Sequence, residues 1–400
     1  MKLNYQSNKY IIVNLIVFYG LVGIAVNLAH PITPSLLNSL KMPSYVFGVA
    51  FAMMQFSSFI FSLFWGKLCS FVQTKYILVL GTMGYGIAQG LFGMSKTMIS
   101  ILLARSLAGI SISAVTIGVM YLLIRITTLD NRKKYLPLLI TSFTVSGAFG
   151  QFIGGYLGEI SIYLPFYIQV IFLAILAVYI ILMLKNLKLD LEPFKIDRLL
   201  KESNPLKSFI DIRSFMSIKY LILFISVFAA SYSSTTISQN FGYYLISFLG
   251  FNTSVNGTVR GIVGIASIII NSSLTIKIVR SSNTEKNGAL IVLSTLVSSI
   301  MMVLFSNNNN YFLMLGIIVM SIDTMIIPIQ QDLTTSITSE SNQGVVLGVH
   351  NSIKSLGAIT GALVSGVVYQ YNPIFPFILA SCFYLVTVIA LLLAKQHFSN

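Results

Sequence analysis

Residues 146–155, SGAFGQFIGG, and residues 357–366, GAITGALVSG, are two versions of one pattern, separated by 211 positions. In both stretches small residues recur every three or four positions, which is the spacing of one face of an α-helix. A Pro-Phe pair follows each stretch at the same distance, as Pro165-Phe166 and as Pro376-Phe377. This shared spacing without gaps predicts that the chain is built from two related halves.

The composition predicts a membrane protein. Hydrophobic residues make up 56% of the chain and charged residues 9%, whereas about a quarter of a soluble protein is charged. The two cysteines, Cys69 and Cys382, are too few for a disulfide framework or a thiolate metal site, and neither a metal nor a cofactor is expected. No cleavable signal peptide is expected, because the polar N-terminus leads into an apolar stretch that is too long for one.

Twelve segments are apolar and reach the roughly 20 residues needed to cross a bilayer. They lie near Tyr10–Leu37, Pro43–Leu68, Tyr76–Met94, Thr97–Ile124, Leu136–Ile160, Tyr163–Met183, Tyr220–Leu249, Val255–Ile276, Gly288–Phe305, Tyr311–Thr335, Val345–Tyr369 and Pro373–Leu393. The expected fold class is an all-α membrane protein, with twelve transmembrane helices in two pseudo-symmetric six-helix halves.

The expected domain boundaries follow the charge pattern. An N-terminal half is expected at residues 1–184, a basic linker at 185–219 and a C-terminal half at 220–400. Within the linker, Phe209–Phe215 is predicted to be a short amphipathic helix on the membrane surface.

The distribution of basic residues predicts the orientation. Most of the 25 Lys and Arg residues fall in the linker and in loops on its side of the membrane, whereas Lys41 and Lys96 alone fall in loops on the other side. The positive-inside rule then places both termini and the linker in the cytoplasm. Topology and anionic membrane lipids account for the net charge of +14, and the scatter of the charges argues against nucleic-acid binding. The Asn/Ile/Lys-rich composition favours a bacterial plasma membrane.

Twelve spans in two parallel halves, joined by a basic central loop, resemble the major facilitator superfamily. The first small-residue stretch resembles the antiporter signature of its drug:proton antiporter branch, Gly-x3-Gly-Pro-x2-Gly-Gly. Ser146 replaces the first glycine and Gln151 the proline, while Gly150, Gly154 and Gly155 match. The resemblance implies a helix-packing and gating role for these glycines and for their counterparts in the second half, Gly357 and Gly361.

Two further motifs resemble the same family. Arg105-x3-Gly109 in the fourth span is similar to its Arg-x2-Gln-Gly motif. Gly66-Lys67-Leu68 opens the loop after the second span, where the family has Gly-x-Leu-x-Asp-Arg. Ser70 and Phe71 occupy the Asp and Arg positions, so this motif is badly eroded.

The C-terminal half looks similar to NorA-type multidrug efflux pumps. The matching positions are Asp323, Pro328, Gln343-Gly344, Asn351-Ser352, Gly357 and Lys395-Gln396-His397. Such pumps carry an acidic residue in the seventh span, and this chain has none between Ser231 and Tyr244.

Ionisable residues inside a span are costly and usually functional. Asp323 is the one carboxylate in the interior of a predicted span, so we expect it to couple transport to protons, with Arg105 and His350 as further coupling residues. A structural alternative stays open for each. Asp323 is expected to pair with Lys354 in at least one conformation, because both fall at similar depths of neighbouring antiparallel spans. Arg105 and His350 are alternatively packing residues that bond to their surroundings.

Lys354 and the polar face of the seventh span are predicted to bind substrate. This face carries Gln239, Asn240, Tyr243 and Tyr244. Interhelical hydrogen bonding is the alternative explanation for it. Pro31 and Pro34, at the outer end of the first span, are expected to shape the helix at a gate.

The expected function is proton-coupled export of small molecules across the plasma membrane by alternating access. The chain has no phosphate-binding loop and no catalytic constellation, so it is not expected to be an enzyme, and a monomer is expected to function. A second hypothesis is export of an anionic or zwitterionic metabolite, such as a carboxylate siderophore, because Arg105, Arg260 and Lys354 outnumber Asp323 inside the spans. A third, from another class, is a non-transporting membrane sensor.

Overall fold

The computed structural model describes residues 5–187, 189–203, 217–281, 283–338 and 343–398, and these residues are overwhelmingly helical. Within these ranges, twelve helical segments are long and apolar enough to cross a membrane. The predicted all-α, twelve-span architecture is therefore confirmed. The surface helix predicted at Phe209–Phe215 lies outside the described residues.

The chain forms two compact units. Unit 1 contains residues up to 36, 53–205 and 252–261, and unit 2 contains residues 37–52, 206–251 and 262 onward. The helices in chain order are α1 (Tyr5–Asn27), α2 (Thr33–Ser39), α3 (Tyr45–Phe71), α4 (Thr74–Gly93), α5 (Met98–Ile126), α6 (Leu129–Ile160), α7 (Leu164–Met183), α8 (Ile196–Glu202), α9 (Ile218–Ser247), α10 (Thr253–Ile270), α11 (Ile276–Val279), α12 (Thr284–Leu304), α13 (Asn309–Asp323), α14 (Ile326–Ser336), α15 (Gln343–Tyr369) and α16 (Phe375–Phe398).

Packing within each unit follows the same plan. In unit 1, α1 packs on α6, and α4 packs on α5 and α7. In unit 2, α9 packs on α15 and α16, and α12 packs on α13 and α16. Helix α7 has the distribution of residues expected in lipid, with apolar side chains outside and a polar side chain inside. Ile171, Ile175 and Leu182 are exposed, whereas Gln169 is fully buried and donates to the carbonyl oxygen of Ala25 at 2.8 Å.

Two predicted spans are broken, and proline explains both breaks. α1 ends at Asn27, four residues before Pro31, which has no N–H to bond the Asn27 carbonyl. α13 ends at Asp323, and Pro328 of α14 likewise leaves the Thr324 carbonyl without its helical partner. The sequence predicted continuous spans at both places, so these breaks correct it.

The break after α13 lies next to a second departure from regular α-helix. Residues Asn271–Thr275, between α10 and α11, form a π-helical turn. The Asn271 side-chain amide donates to Thr324 Oγ1 at 3.1 Å, and Thr324 in turn donates to the Ser321 carbonyl at 2.7 Å. Such π turns are frequent at functional sites, and this one lies beside Asp323 in the chain fold.

Candidate functional site

Asp323 ends α13 and joins three helices of unit 2. Ser234 of α9 donates its hydroxyl to Asp323 Oδ2 at 2.5 Å, and Tyr384 of α16 donates to Oδ1 at 2.6 Å. Each carboxylate oxygen therefore accepts one hydroxyl. Two O–H donors aimed at the two oxygens stabilise the negatively charged form of the acid.

Lys354 does not form the expected pair with Asp323 in this structure. Its backbone carbonyl accepts a hydrogen bond from Ser231 Oγ at 2.7 Å, which fixes α15 against α9. Among the described residues, the Lys354 ammonium group has neither a hydrogen-bond partner nor an ion-pair partner. A half-buried ammonium group without a counterion is costly, and an anionic ligand would offset that cost.

His350 lies one helical turn before Lys354 and is completely buried. Its Nδ1 lies 3.0 Å from Thr334 Oγ1, and the same hydroxyl donates to the Gln330 carbonyl at 2.7 Å. Because a hydroxyl carries one proton, the His350 Nδ1–H must donate to Thr334. Nε2 then holds a lone pair, and this atom has no partner in the described part of the chain.

Arg105 lies in unit 1 and is 5% exposed. Its Nη2 donates to Thr33 Oγ1 at 3.2 Å, and its guanidinium group stacks 3.9 Å from the centre of the Phe92 ring. Thr33 is the first residue of α2, so Arg105 holds the start of that helix beyond the break at Pro31. On the far side of the break, Asn256 of α10 donates to the Pro31 carbonyl at 3.0 Å.

The predicted polar face of α9 divides into packing residues and one open side chain. Asn240 is buried and donates to the Thr236 carbonyl of its own helix at 2.8 Å. Tyr244 is 1% exposed and lies in an aromatic cluster with Phe312, its ring 4.7 Å away. Gln239 is half-buried. The structure thus gives Asn240 and Tyr244 a packing role, and the binding role of this face stays a prediction.

Tyr243 belongs to the same face and lies beside two other rings. Its ring centre is 5.0 Å from that of Phe47 and 5.0 Å from that of Tyr369. Its hydroxyl donates to Asn38 Oδ1 at 3.4 Å. These contacts fix the C-terminal turns of α9 to the start of α3 and the end of α15 within unit 2.

The glycines of α6 make two different contacts. A methyl group at Gly150 or Gly154 would collide with the carbonyl oxygens of Ile24 and Leu28, so these two glycines pack on α1. At Gly155 it would lie 2.8 Å from the Cα of Gly257, so this glycine packs on α10. Among these three glycines, Gly155 alone makes the contact between the fifth span and the eighth.

The glycines of α15 likewise make two different contacts. Gly357 and Gly361 do not pack against the second span. A methyl group at Gly361 would lie 2.7 Å from the Tyr232 carbonyl oxygen, so they pack on α9. Gly366 contacts the second span instead, with its added methyl 3.0 Å from the Cα of Gly48.

Sequence reasoning found Asp323 but missed its Tyr384 partner and the helix break beside it. Pro328 was the available signal for the break, since a proline interrupts the helix four residues upstream. For Tyr384, the signal was a single tyrosine in a strongly apolar last span. Among the described residues no group of three His, Cys, Asp or Glu side chains is placed to hold a metal ion.

Twelve membrane-spanning helices built from repeated halves, with one mid-span carboxylate among the described residues, are typical of a membrane transporter of the facilitator type. The chain belongs to the Major Facilitator Superfamily, whose family model matches residues 15–362. The predicted membership is confirmed.

The relatives of the chain include drug-resistance proteins. Multidrug resistance protein 2 of Bacillus subtilis (strain 168) is 23% identical over 380 residues, which cover 94% of this chain and 93% of that protein. Quinolone resistance protein NorA of Staphylococcus aureus is 27% identical over 150 residues, covering 37% of this chain and 38% of that protein. These relatives confirm the resemblance to the drug-efflux branch that the motifs predicted.

A solved structure shows the same fold. The nucleoside transporter NupG superposes with a TM-score of 0.74 at 14% identity, covering 98% of this chain and 99% of that chain. The likeness concerns the fold and carries no statement about cargo.

Proposed function

We propose that this multi-pass membrane transporter is a proton-coupled exporter of small molecules that works by alternating access, with Asp323 as its proton-binding group. The observation that carries the proposal is the position of Asp323. Among the described spans, Asp323 is the one carboxylate that lies more than two helical turns from either end of its span. Its neighbours are hydroxyl groups and not a permanent cation.

The two hydroxyl donors supply a coupling mechanism. When a proton binds Oδ2, the new O–H donates to Ser234 Oγ, and Ser234 turns its own hydroxyl proton elsewhere. Serine in a helix readily donates to the carbonyl four residues earlier, here Ala230. Protonation therefore replaces a charge-assisted hydrogen bond between α9 and α13 by a weaker neutral one, and loss of the proton restores the stronger bond. The charge of Asp323 is in this way tied to the packing of α9, α13 and α16.

The other residues have supporting roles in this proposal. Arg105 and His350 assist proton movement, and Lys354 contacts cargo together with the polar face of α9. Both termini face the cytoplasm, as the distribution of basic residues favours.

A reconstituted system tests the proposal. Purified protein in liposomes is given a pH gradient, and accumulation of norfloxacin, a zwitterionic quinolone, is measured together with proton movement. We expect Asp323→Asn to abolish gradient-driven accumulation. Asp332→Asn is the matched control, because Asp332 lies in the same span within four residues of its end, and it should stay within about twofold of wild type.

Two outcomes would contradict the proposal. Equal transport by Asp323→Asn and wild type would move the coupling site elsewhere. If the wild-type protein moves no protons in the presence of norfloxacin, tetracycline or ethidium, the membrane sensor would be favoured.

A second candidate function is export of an anionic or zwitterionic metabolite, such as a carboxylate siderophore. The Lys354 ammonium group favours it, because no described side chain neutralises this charge. At a separation of 4 Å and an effective dielectric constant near 20, a carboxylate would gain about 4 kcal/mol from it. Cargo competition against norfloxacin by citrate and by ethidium separates the two candidates, since an anion-selective site responds to citrate alone.

A further inference from the structure

The chain that follows α7 turns back and binds helix ends of unit 1, the unit to which it also belongs. Residues 189–203, called the strap below, lie against the loop between α3 and α4. Gln73 in that loop bonds the backbone of Leu189 twice, from Nε2 to the carbonyl at 2.9 Å and from the Leu189 N–H to Oε1 at 3.0 Å. The Glu192 N–H donates to the Ser70 carbonyl at 2.9 Å. Both the strap and the loop thus satisfy each other's backbone groups.

Charged and apolar contacts reinforce this binding. Glu192 Oε2 lies 3.3 Å from Lys67 Nζ and 2.7 Å from Arg198 Nη1. The Arg125 guanidinium group, at the end of α5, donates to the Asp190 carbonyl at 2.9 Å. The two cations share one carboxylate, so Glu192 joins α3 to α8.

Two apolar side chains of the strap are packed as well. The ring of Phe194 meets that of Phe71 edge-on at 5.6 Å, and Leu199 of α8 is 3% exposed. Through these contacts the strap holds the ends of α3, α4, α5 and α7 together.

The Lys67 contact has a particular meaning in this sequence. The loop motif that this region resembles has an aspartate where this chain has Ser70. Here a carboxylate still reaches the loop, but it comes from the strap. The Glu192 backbone is bonded to Ser70 itself, so the strap acid occupies the neighbourhood of the missing one.

We propose that the strap remains bound to the rest of unit 1 throughout the transport cycle and that Glu192 supplies the negative charge which the C-terminal end of α3 lacks at Ser70. The ends of α3, α4, α5 and α7 then move as one body together with residues 189–203. The transport part of this inference rests on the proposed function, whereas the binding of the strap does not.

Thiol labelling tests the binding without any cargo. The background carries Cys69→Ala and Cys382→Ser. In it, Leu199→Cys places a thiol at a buried position of the strap. The rate of its reaction with a maleimide is measured in native membranes. We expect Glu192→Ala to speed labelling about tenfold, because a hydrogen bond to a charged group is lost. Asp197→Ala removes an acid of the same strap that makes none of these contacts and should leave the rate unchanged. Equal rates for the two variants would overturn the role of Glu192.

A rescue experiment tests the charge. Norfloxacin transport should fall severalfold in Glu192→Ala, and adding Ser70→Asp should restore most of it while labelling of Leu199→Cys stays fast. If transport stays low in the Glu192→Ala, Ser70→Asp double variant, Glu192 does not act by supplying negative charge near Lys67.

A tether tests whether the strap has to leave. Phe71→Cys and Phe194→Cys are joined by a short bifunctional thiol reagent that reduction cleaves. The tethered protein is expected to keep at least half of the transport of the uncoupled double variant. Loss of transport on tethering, reversed by reduction, would show that the strap detaches during the cycle. If wild-type protein moves no norfloxacin, the labelling experiment still decides whether Glu192 holds the strap.

Discussion

Helices α6 and α15 carry the same small-residue pattern, yet they differ in the other side chains that accompany this pattern. Their packing is equivalent: Gly150 sits against α1 as Gly361 sits against α9, and Gly155 meets Gly257 as Gly366 meets Gly48. Both equivalences follow the offset of 211 positions between the two repeats. The repeat therefore preserves the close approach of helix backbones in both units.

The chemistry does not follow the repeat. The same offset of 211 positions maps Lys354 onto Phe143 and His350 onto Leu139. In unit 1, Phe143 stacks on Tyr19 at 4.5 Å and Leu139 is fully buried. The comparison shows that packing was kept in both halves of the chain, whereas the titratable side chains at these two positions occur only in unit 2.

The largest expected effect concerns the packing that both helices share. Gly154→Ala forces a methyl group into the Leu28 carbonyl oxygen, and we expect it to lower the free energy of unfolding by about 3 kcal/mol. Gly348→Ala is the matched control on α15, because nothing lies within 4 Å of an added methyl there. Thermal unfolding of the purified variants in detergent measures both. A Gly154→Ala protein as stable as Gly348→Ala would break the packing half of the comparison.

The next effect concerns Lys354, the charged residue of α15 at the position where α6 has Phe143. Lys354→Ala should reduce export of norfloxacin at least tenfold, since it removes an attraction of a few kcal/mol for the carboxylate, and it should change export of neutral chloramphenicol little. Wild-type protein is expected to export ethidium poorly. Lys277→Ala, which removes an exposed lysine of α11, is the control. Efficient ethidium efflux that Lys354→Ala leaves unchanged would restore a cation-pumping function.

The smallest effect separates the two nitrogens of His350. An asparagine side-chain amide retains a donor near the Nδ1 position but has nothing at Nε2. We expect His350→Asn to melt within a few degrees of wild type and to transport severalfold more slowly, with a flatter dependence on pH. His350→Ala, which also loses the bond to Thr334, should be less stable. Normal transport by His350→Asn would make this histidine a packing residue only.

Much of the fold was predictable from the sequence because it depends on periodic and local signals. Apolar length located the twelve spans, and the small-residue spacing located the helices that approach most closely. The contacts that define the site were harder to predict. Ser234 and Tyr384 are 89 and 61 residues from Asp323, and only the tertiary fold brings them to its carboxylate. Depth along a span predicted a Lys354 pair, but it contains no information on the direction in which each side chain points around its helix.

Unit 1 is assembled from three separate segments of the chain, and this has a consequence for biosynthesis. Its contact between Gly155 and Gly257 joins residues about a hundred positions apart, and residues 252–261 are made only after the whole of α9. At a synthesis rate of roughly 5–20 residues per second, α6 waits about 5–20 seconds for this partner. During that interval its small-residue face lacks the partner that Gly257 later provides. A ribosome stalled shortly before residue 252 should therefore hold an intermediate in which Gly155→Cys is open to thiol reagents, and release of the full chain should close it.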